Sequence, residues 1–131
     1  MDYLTFPFNI NTMCSTTGID NIYSSANRPI ASTKDWITYP YPISYRHNSR
    51  GFRDEEWPNN LDDVVWCLGD SFTKGVGVPY EHTWPSILQT NSKKRCINLG
   101  IDGAANRLLL NIAKQIISEY NHKYMIIMWS Y

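Results

Sequence analysis

Residues 64–71, with the sequence Val-Val-Trp-Cys-Leu-Gly-Asp-Ser, decide the fold class of this chain. The first five side chains are all apolar, without the alternation of polar and apolar residues that marks a strand with one wet face. A short apolar run followed by glycine is typical of a strand buried on both faces, as in a parallel sheet covered by helices. The stretch therefore predicts an α/β fold with this strand in its sheet.

Two further apolar runs, residues 96–99 and 124–129, predict a second and a third buried strand. Thr83 is a suitable N-cap for a helix that begins at Trp84, because the proline that follows is tolerated in a first turn. A longer helix is predicted over residues 104–120. The order β-α-β-α-β favours a three-layer α/β fold with a flavodoxin-like parallel sheet that is only partly contained in this chain.

Apolar side chains recur along both predicted helices at a spacing of three or four residues, which makes one apolar stripe per helix. The shorter helix would direct Trp84, Ile87 and Leu88 toward the sheet. The stripe of the longer helix comprises Ala105, Leu109, Ile112, Ala113, Ile116, Ile117 and Tyr120. Both helices are therefore expected to pack on the sheet.

The first 60 residues differ in character from the rest, since they are rich in Asn, Ser, Thr, Pro and aromatic residues and lack helical periodicity. Pro40 and Pro42 favour an extended path, because each proline fixes its own φ and restricts the residue before it. Residues 48–51 have the composition of a turn. We therefore expect residues 1–60 to form an N-terminal extension of irregular structure and short strands, and residues 61–131 to form the α/β domain.

Length and charge restrict the partners that this chain is expected to have. Its 131 residues are enough for one compact domain. Lys and Arg together number 12, as do Asp and Glu, so the formal net charge is zero. Because no basic surface follows from this composition, we expect neither a nucleic acid nor a membrane as partner.

The cysteines and the N-terminus favour a soluble, cytoplasmic protein. Cys14, Cys67 and Cys96 are an odd number without metal-ligand spacing, which is typical of free thiols in a reducing compartment. Cys67 and Cys96 lie within apolar runs and are expected to be small buried residues. No signal peptide is recognisable, and the apolar run at 124–129 is far shorter than the about 20 residues that span a bilayer.

Ser71 is the residue with the clearest chemical potential, because ligands of open parallel sheets bind beyond the carboxyl ends of the strands. Residues 69–73, 100–103 and 129–131 follow the three predicted strands and should converge there. Ser71 is either a nucleophile that faces backbone NH donors, or part of a tight turn in which Asp70 and Ser71 bind the backbone locally. The residues by themselves leave both interpretations open.

Two other motifs are excluded by the residues that follow Ser71. A P-loop requires lysine after a glycine and before serine or threonine, whereas here Lys74 lies between Thr73 and Gly75. The nucleophile elbow of α/β-hydrolases requires glycine two residues after the serine, where this chain has Thr73.

Residues 64–78, followed by Thr-Trp-Pro at 83–85, resemble the first conserved block of the SGNH (GDSL-type) hydrolases, in which Gly-Asp-Ser follows an apolar strand. The resemblance implies that Ser71 is the acyl nucleophile, that its backbone NH is an oxyanion donor, and that Asp70 shapes the turn. It also implies hydrolysis of a small-molecule or carbohydrate ester, with no metal or organic cofactor.

Residues 98–103, Asn-Leu-Gly-Ile-Asp-Gly, resemble the second block of the same family. This match implies that the backbone NH of Gly103 is a further oxyanion donor. The position agrees with the predicted helix, because Gly103 would lie at its N-terminus, where NH groups are free.

The stretch at residues 45–53 also resembles a segment that precedes the Gly-Asp-Ser block in some SGNH-like proteins. We interpret it as structural rather than catalytic. Arg50 and Arg53 either line the crevice or, as is commoner for arginine side chains, are solvated or ion-paired, and we expect the second.

The chain departs from the family after the third predicted strand. Trp-Ser-Tyr at 129–131 stands where the family has an asparagine that donates to the oxyanion, so Ser130 or Tyr131 replaces this donor or the role is absent. No Asp-x-x-His pair is present to act as general base with its orienting carboxylate. We therefore expect the front part of a longer hydrolase, with little or no turnover of its own.

The histidines of the chain do not replace that base. His47 lies in the N-terminal extension, His82 precedes the first predicted helix and His122 follows the second. A serine without a base is a weak nucleophile at neutral pH. Two alternatives to an esterase therefore remain: an inactive relative of the same fold that binds a ligand or carbohydrate, and a structural protein in which Gly-Asp-Ser is only a turn.

Overall fold

The computed structural model of the protein describes residues 3–4, 18–20 and 43–130. The strands are β1 (Gly18–Asp20), β2 (Ile43–Tyr45), β3 (Val65–Gly69), β4 (Cys96–Gly100) and β5 (Tyr124–Ile127). The α-helices are α1 (Ser71–Lys74), α2 (Trp84–Ser92) and α3 (Asn106–Glu119), and a 3₁₀ helix spans Tyr80–His82. The α/β fold is confirmed, with two short helices added between the first predicted strand and the first predicted helix.

The central sheet is parallel and has β3 in the middle, with β4 on one side and β5 on the other. Gly69 at the end of β3 pairs with Gly100 at the end of β4. Of the three central strands, the one that comes first in the chain therefore lies between the second and the third. Flavodoxin-like sheets begin with this strand order. Separately, β1 and β2 form a two-stranded antiparallel sheet.

Helices cover both faces of the central sheet, as a three-layer fold requires. On one face, Trp66 and Leu68 of β3 pack in the main core with α3. On the other face, Val65 and Cys67 pack against Trp84 and Leu88 of α2. The side chains of β3 alternate between the two cores, which is why its sequence is apolar without interruption.

Helix α2 begins at Trp84 as predicted, with Thr83 at the N-cap position. The Thr83 hydroxyl does not cap the helix, however, because it donates to the carbonyl oxygen of Tyr80 at 2.7 Å. The prediction for Ile87 is wrong, since this side chain is 48% exposed. Helix α2 rests on the edge strand β4, so only a narrow stripe along Trp84 and Leu88 is covered.

Helix α3 begins at Asn106, two residues later than predicted, and ends at Glu119. Most of the predicted stripe faces the sheet, and Tyr120 just after the helix packs on the same core. Ala105 and Ile117 are exceptions, because Ala105 precedes the helix and is exposed, and the Ile117 side chain is 56% exposed. The fully buried stripe residues are Leu109, Ile112, Ala113 and Ile116.

The prediction of a buried third strand over residues 124–129 is wrong in part. The strand ends at Ile127, and its side chains alternate between exposed and half-buried. Tyr124 and Ile126 are exposed because they point to the face that α2 covers only near β4 and β3. Within the described residues, β5 also pairs with β3 alone.

The residues that precede the central sheet are anchored to it through Phe52 and the carboxylate of Asp54. Phe52 belongs to the same core as α3 and the sheet. The buried carboxylate of Asp54 accepts hydrogen bonds from Arg95 at 2.8 Å, from the Tyr80 hydroxyl at 2.8 Å and from the Asn98 backbone NH at 3.2 Å. Asp54 thereby satisfies a backbone donor on the outer edge of β4. The boundary at residues 60 and 61 stays a prediction.

Two of the predicted free cysteines, Cys67 and Cys96, are buried thiols without a disulfide. Burial raises the pKa of both, so neither is a reactive thiolate at neutral pH. Cys14 lies outside the described residues.

Among the helices of the described segments, none combines the length and apolar character needed to cross a lipid bilayer.

His47 links the stability of the fold to pH. Burial, and then the positive charges of Lys74 and Arg53, lower the pKa of His47 from 6.5 to about 4. The unfolded chain therefore binds a proton at His47 at a higher pH than the folded protein does, so acidification through this window favours unfolding. We expect the free energy of unfolding, measured with urea, to fall as the pH is lowered from 6.5 to about 4.

The matched variant for this prediction is His47→Gln, which keeps a polar side chain but cannot titrate. Its free energy of unfolding should depend less on pH than that of the wild type over the same range. A variant whose pH dependence equals that of the wild type would show that His47 is not the group responsible.

Candidate active site

Ser71 is the first residue of α1, which begins immediately after β3. Asp70 occupies the N-cap position, where its Oδ1 atom accepts a hydrogen bond of 3.0 Å from the backbone NH of Phe72. The helix ends at Lys74 and is capped by Gly75, whose φ of 81° is the left-handed conformation that glycine adopts without a steric penalty. The hydrogen bond between Asp70 and the Phe72 NH is the local backbone bond expected for a tight turn. The side chain of Ser71 is half-buried, at the carboxyl ends of the strands.

Asn98, the first residue of the second matching block, holds α1 against β4. Its buried side chain donates to the carbonyl oxygen of Thr73 at 3.0 Å and accepts from the backbone NH of Gly100 at 2.9 Å. The backbone NH of Ile101 then donates to the Gly69 carbonyl at 3.0 Å. The first two predicted segments, at 69–73 and 100–103, are therefore joined directly.

Gly103 lies in the turn that follows β4, with a φ of 70°. Because α3 begins later than predicted, Gly103 precedes the helix by three residues rather than lying at its N-terminus. The residue is exposed, and no heavy atom lies within 4 Å of the point that a Cβ would occupy. The backbone of Gly103 is therefore open to solvent on the side where a Cβ would lie.

The backbone NH groups nominated as oxyanion donors share one property. In the part of the chain that the structure describes, neither the NH of Ser71 nor that of Gly103 donates to a protein acceptor. Unsatisfied NH groups at the carboxyl edge of a parallel sheet are available to a bound anion.

The third predicted segment also reaches this site, through Ser130. The Ser130 hydroxyl donates to Oδ2 of Asp70 at 2.9 Å. The backbone NH of Ser130 donates to Oδ1 of Asn106 at 2.7 Å, and the Asn106 amide donates back to the Ser130 carbonyl oxygen at 2.9 Å. The hydroxyl proton of Ser130 is thus directed to Asp70. Tyr131, the other expected replacement for the third donor, lies outside the described residues.

Asn106 is a site residue that the sequence interpretation missed. Its contacts with Ser130 connect positions 24 residues apart in the chain, and no local spacing rule predicts such a pair. The only available signal was a polar residue at the start of a long apolar helix, which is also an ordinary feature of helix N-termini.

No side chain among the described residues hydrogen-bonds to the Ser71 hydroxyl. His122 lies between α3 and β5, so it is at the amino ends of the parallel strands, whereas Ser71 is at their carboxyl ends. His47 lines a cleft of about 660 Å³ beside Arg46 and Tyr80, to whose lining Ser71 does not contribute. These contacts identify no general base for Ser71.

Two exposed aromatic side chains flank the site along the chain. Phe72 follows Ser71 and is 76% exposed, and Trp129 precedes Ser130 and is 49% exposed. Large exposed aromatic side chains beside a polar site are suited to contact an acyl chain or a sugar ring.

In the described segments, no group of three His, Cys, Asp or Glu side chains is arranged to hold a metal ion.

Comparison with known proteins gives few matches. No protein-family model matches the chain, and no curated protein does. Among solved structures, the chain is similar to the crystal structure of AlinE4, an SGNH-hydrolase family esterase, with a TM-score of 0.45 and 22% sequence identity. The alignment covers 56% of this chain and 42% of that one, so this chain spans less than half of the other structure. The assignment of site residues therefore depends on the contacts described above.

Proposed function

We propose that this chain carries the nucleophile of an SGNH-type serine hydrolase that acts on ester bonds. The position of Ser71 carries the proposal: it begins a helix directly after a buried parallel strand, at the edge where three chain segments meet. The backbone NH groups of Ser71 and Gly103 are free to donate there. The resemblance of residues 64–78 and 98–103 to two SGNH blocks supports the same assignment.

In the proposed reaction, the Ser71 hydroxyl oxygen attacks the ester carbonyl carbon, and its proton passes to a base. The oxyanion that develops is stabilised by the NH groups of Ser71 and Gly103, as preorganised donors do in acyl transfer. Loss of the alcohol leaves an acyl-serine, which water hydrolyses to release the acid and free Ser71. Asp70 contributes by holding the turn through Phe72, not by touching the substrate.

The proposed substrates are small-molecule or carbohydrate esters. Phe72 and Trp129 support this class, because they are exposed and precede or follow a site residue in the chain, and exposed aromatic rings can contact an acyl chain or a sugar ring. Since no described side chain hydrogen-bonds to the Ser71 hydroxyl, we expect the chain to react once with an activated reagent but to turn over esters slowly or not at all.

A fluorophosphonate probe tests the proposal, because it phosphonylates nucleophilic serines irreversibly. We expect one probe molecule per chain, at Ser71, as measured by intact mass and peptide mapping. The Ser71→Ala variant should not be labelled. The matched control, Ser118→Ala, removes an exposed hydroxyl of α3 that donates to Gln115, and should be labelled like the wild type.

Labelling that persists in Ser71→Ala would refute the assignment of the nucleophile. At alkaline pH, hydroxide can take the place of a protein base, so a wild-type chain that stays unlabelled there would refute the hydrolase function and favour an inactive relative that binds a ligand. Titration of the chain with a carbohydrate or small-molecule ester, followed by its tryptophan fluorescence, would then be the next measurement.

A further inference from the structure

The side chain of Asn106 and the backbone of Ser130 form a reciprocal pair of hydrogen bonds, here called the Asn106–Ser130 clasp. The Asn106 amide donates to the Ser130 carbonyl oxygen at 2.9 Å, and its Oδ1 atom accepts the Ser130 NH at 2.7 Å. A primary amide that binds both the NH and the C=O of one residue fixes that residue in position and orientation. The clasp thereby attaches the segment after β5 to the first residue of α3.

The clasp continues to the nucleophile turn through the Ser130 side chain. The hydroxyl donates to Oδ2 of Asp70 at 2.9 Å, while the other carboxylate oxygen accepts the NH of Phe72 at 3.0 Å. The Ser130 hydroxyl and the Phe72 NH thus bind the two oxygens of the Asp70 carboxylate. Hydrogen bonds to a carboxylate are stronger than hydrogen bonds between neutral groups. Asp70 is therefore held between the clasp and α1, next to Ser71.

We propose that Asn106 and Ser130 are positioning residues for the Ser71 turn, acting in series through Asp70. The inference rests on the proposed function, since it assigns a role within the same site. Neither residue touches the reacting atoms in this proposal. Their effect is to hold Asp70, and with it the backbone NH of Ser71, in one orientation while the ester reacts.

The exposure of Asn106 and Ser130 indicates that they position the Ser71 turn rather than stabilise the hydrophobic core. Asn106 is exposed and Ser130 is half-buried, and neither belongs to a hydrophobic core cluster. Hydrogen bonds at such positions add little to global stability, because water replaces them on unfolding. A shift of about 1 Å in a reacting group can still slow chemistry by as much as about a hundredfold. The clasp should thus affect reactivity far more than stability.

A double-mutant cycle tests the series arrangement, with the rate constant for fluorophosphonate labelling of Ser71 in the full chain as the readout. We expect Asn106→Ala and Ser130→Ala each to slow labelling by about tenfold. Because both act through the same contact with Asp70, the double variant should be no slower than either single variant. Asn111→Ala, which removes an asparagine from the same helix, is the matched control and should label at the wild-type rate.

A second readout does not depend on hydrolase activity. The amide ¹H and ¹⁵N chemical shifts of Ser71 and Phe72 should change in Asn106→Ala and in Ser130→Ala, but not in Asn111→Ala. The free energies of unfolding of all three variants should stay close to that of the wild type. A change at the Ser71 turn without a loss of stability is what a positioning role predicts and a merely structural role does not.

Three outcomes would overturn the inference. They are labelling rates that remain within twofold of the wild type, additive effects in the double variant, and unchanged amide shifts at Ser71 and Phe72 in the Asn106 variant. A wild-type chain that cannot be labelled would refute the hydrolase function separately, and the amide shifts would then decide alone whether Asn106 holds the turn.

Discussion

Replacing Gly100 with alanine should lower the free energy of unfolding by about 3 kcal/mol or more. A Cβ at this position would lie 2.1 Å from the backbone nitrogen of Lys74, 2.5 Å from its Cα and 2.6 Å from the carbonyl carbon of Thr73. These atoms are the backbone of α1, which cannot turn aside as a flexible side chain can. Urea denaturation followed by tryptophan fluorescence measures the loss.

The same substitution should also abolish labelling of Ser71, because α1 must move away from β4 to accommodate the methyl group. For the loss of stability, Gly103→Ala is the matched control, since no heavy atom lies within 4 Å of its Cβ position. That variant should lose only the about 1–2 kcal/mol that an L-residue pays in the left-handed conformation. A Gly100→Ala variant as stable as the Gly103→Ala variant would contradict the close approach of α1 and β4.

Replacing Arg53 with methionine should cost about 3–5 kcal/mol, because buried acceptors would lose their donor without access to water. The Arg53 side chain is 1% exposed. Its guanidinium donates to the carbonyl oxygens of Ser44 at 3.2 Å, Lys74 at 3.2 Å and Val78 at 2.9 Å, and also to that of Gly75. It lies over the Tyr45 ring, 4.2 Å from the centroid.

Methionine retains much of the length of arginine, so the comparison isolates the guanidinium. Arg46→Met, at an exposed position, is the matched control and should change stability by less than about 0.5 kcal/mol. Thermal and urea unfolding of both variants measure the difference. An Arg53→Met protein within 1 kcal/mol of the control, at about the scale of one net hydrogen bond, would show that the loop after α1 does not depend on this side chain.

Arg53 also illustrates where the sequence was misleading. The residue was expected to be solvated or ion-paired, and this expectation is wrong. Carbonyl oxygens brought together from β2, α1 and the loop after α1 surround the guanidinium. An arginine can be buried without a carboxylate when several carbonyl oxygens accept its donors, and only the folded chain brings these acceptors to one place. Arg50, by contrast, is half-buried over the Trp57 ring.

The candidate site was predictable in part for a simple reason. The carboxyl ends of parallel strands lie at one edge of a sheet, so the segments after three predicted strands had to converge. The contacts of Asp70 with Ser130 and of Gly69 with Ile101 agree with that rule. The rule says nothing about which side chains then meet, and the Asn106–Ser130 clasp was accordingly missed.

Local sequence patterns predicted the α/β class, the order of the three central strands and the two longer helices, and the position of Ser71 directly after a buried strand. These features depend on local periodicity and on the two-sided burial of β3, both of which are written in consecutive residues. Other features became visible only in the folded chain: β5 is half-exposed, Arg53 is buried, and Asn106 reaches Ser130. Such outcomes depend on which distant segments come together, because burial and hydrogen-bond partners are properties of the packed chain rather than of any window along it.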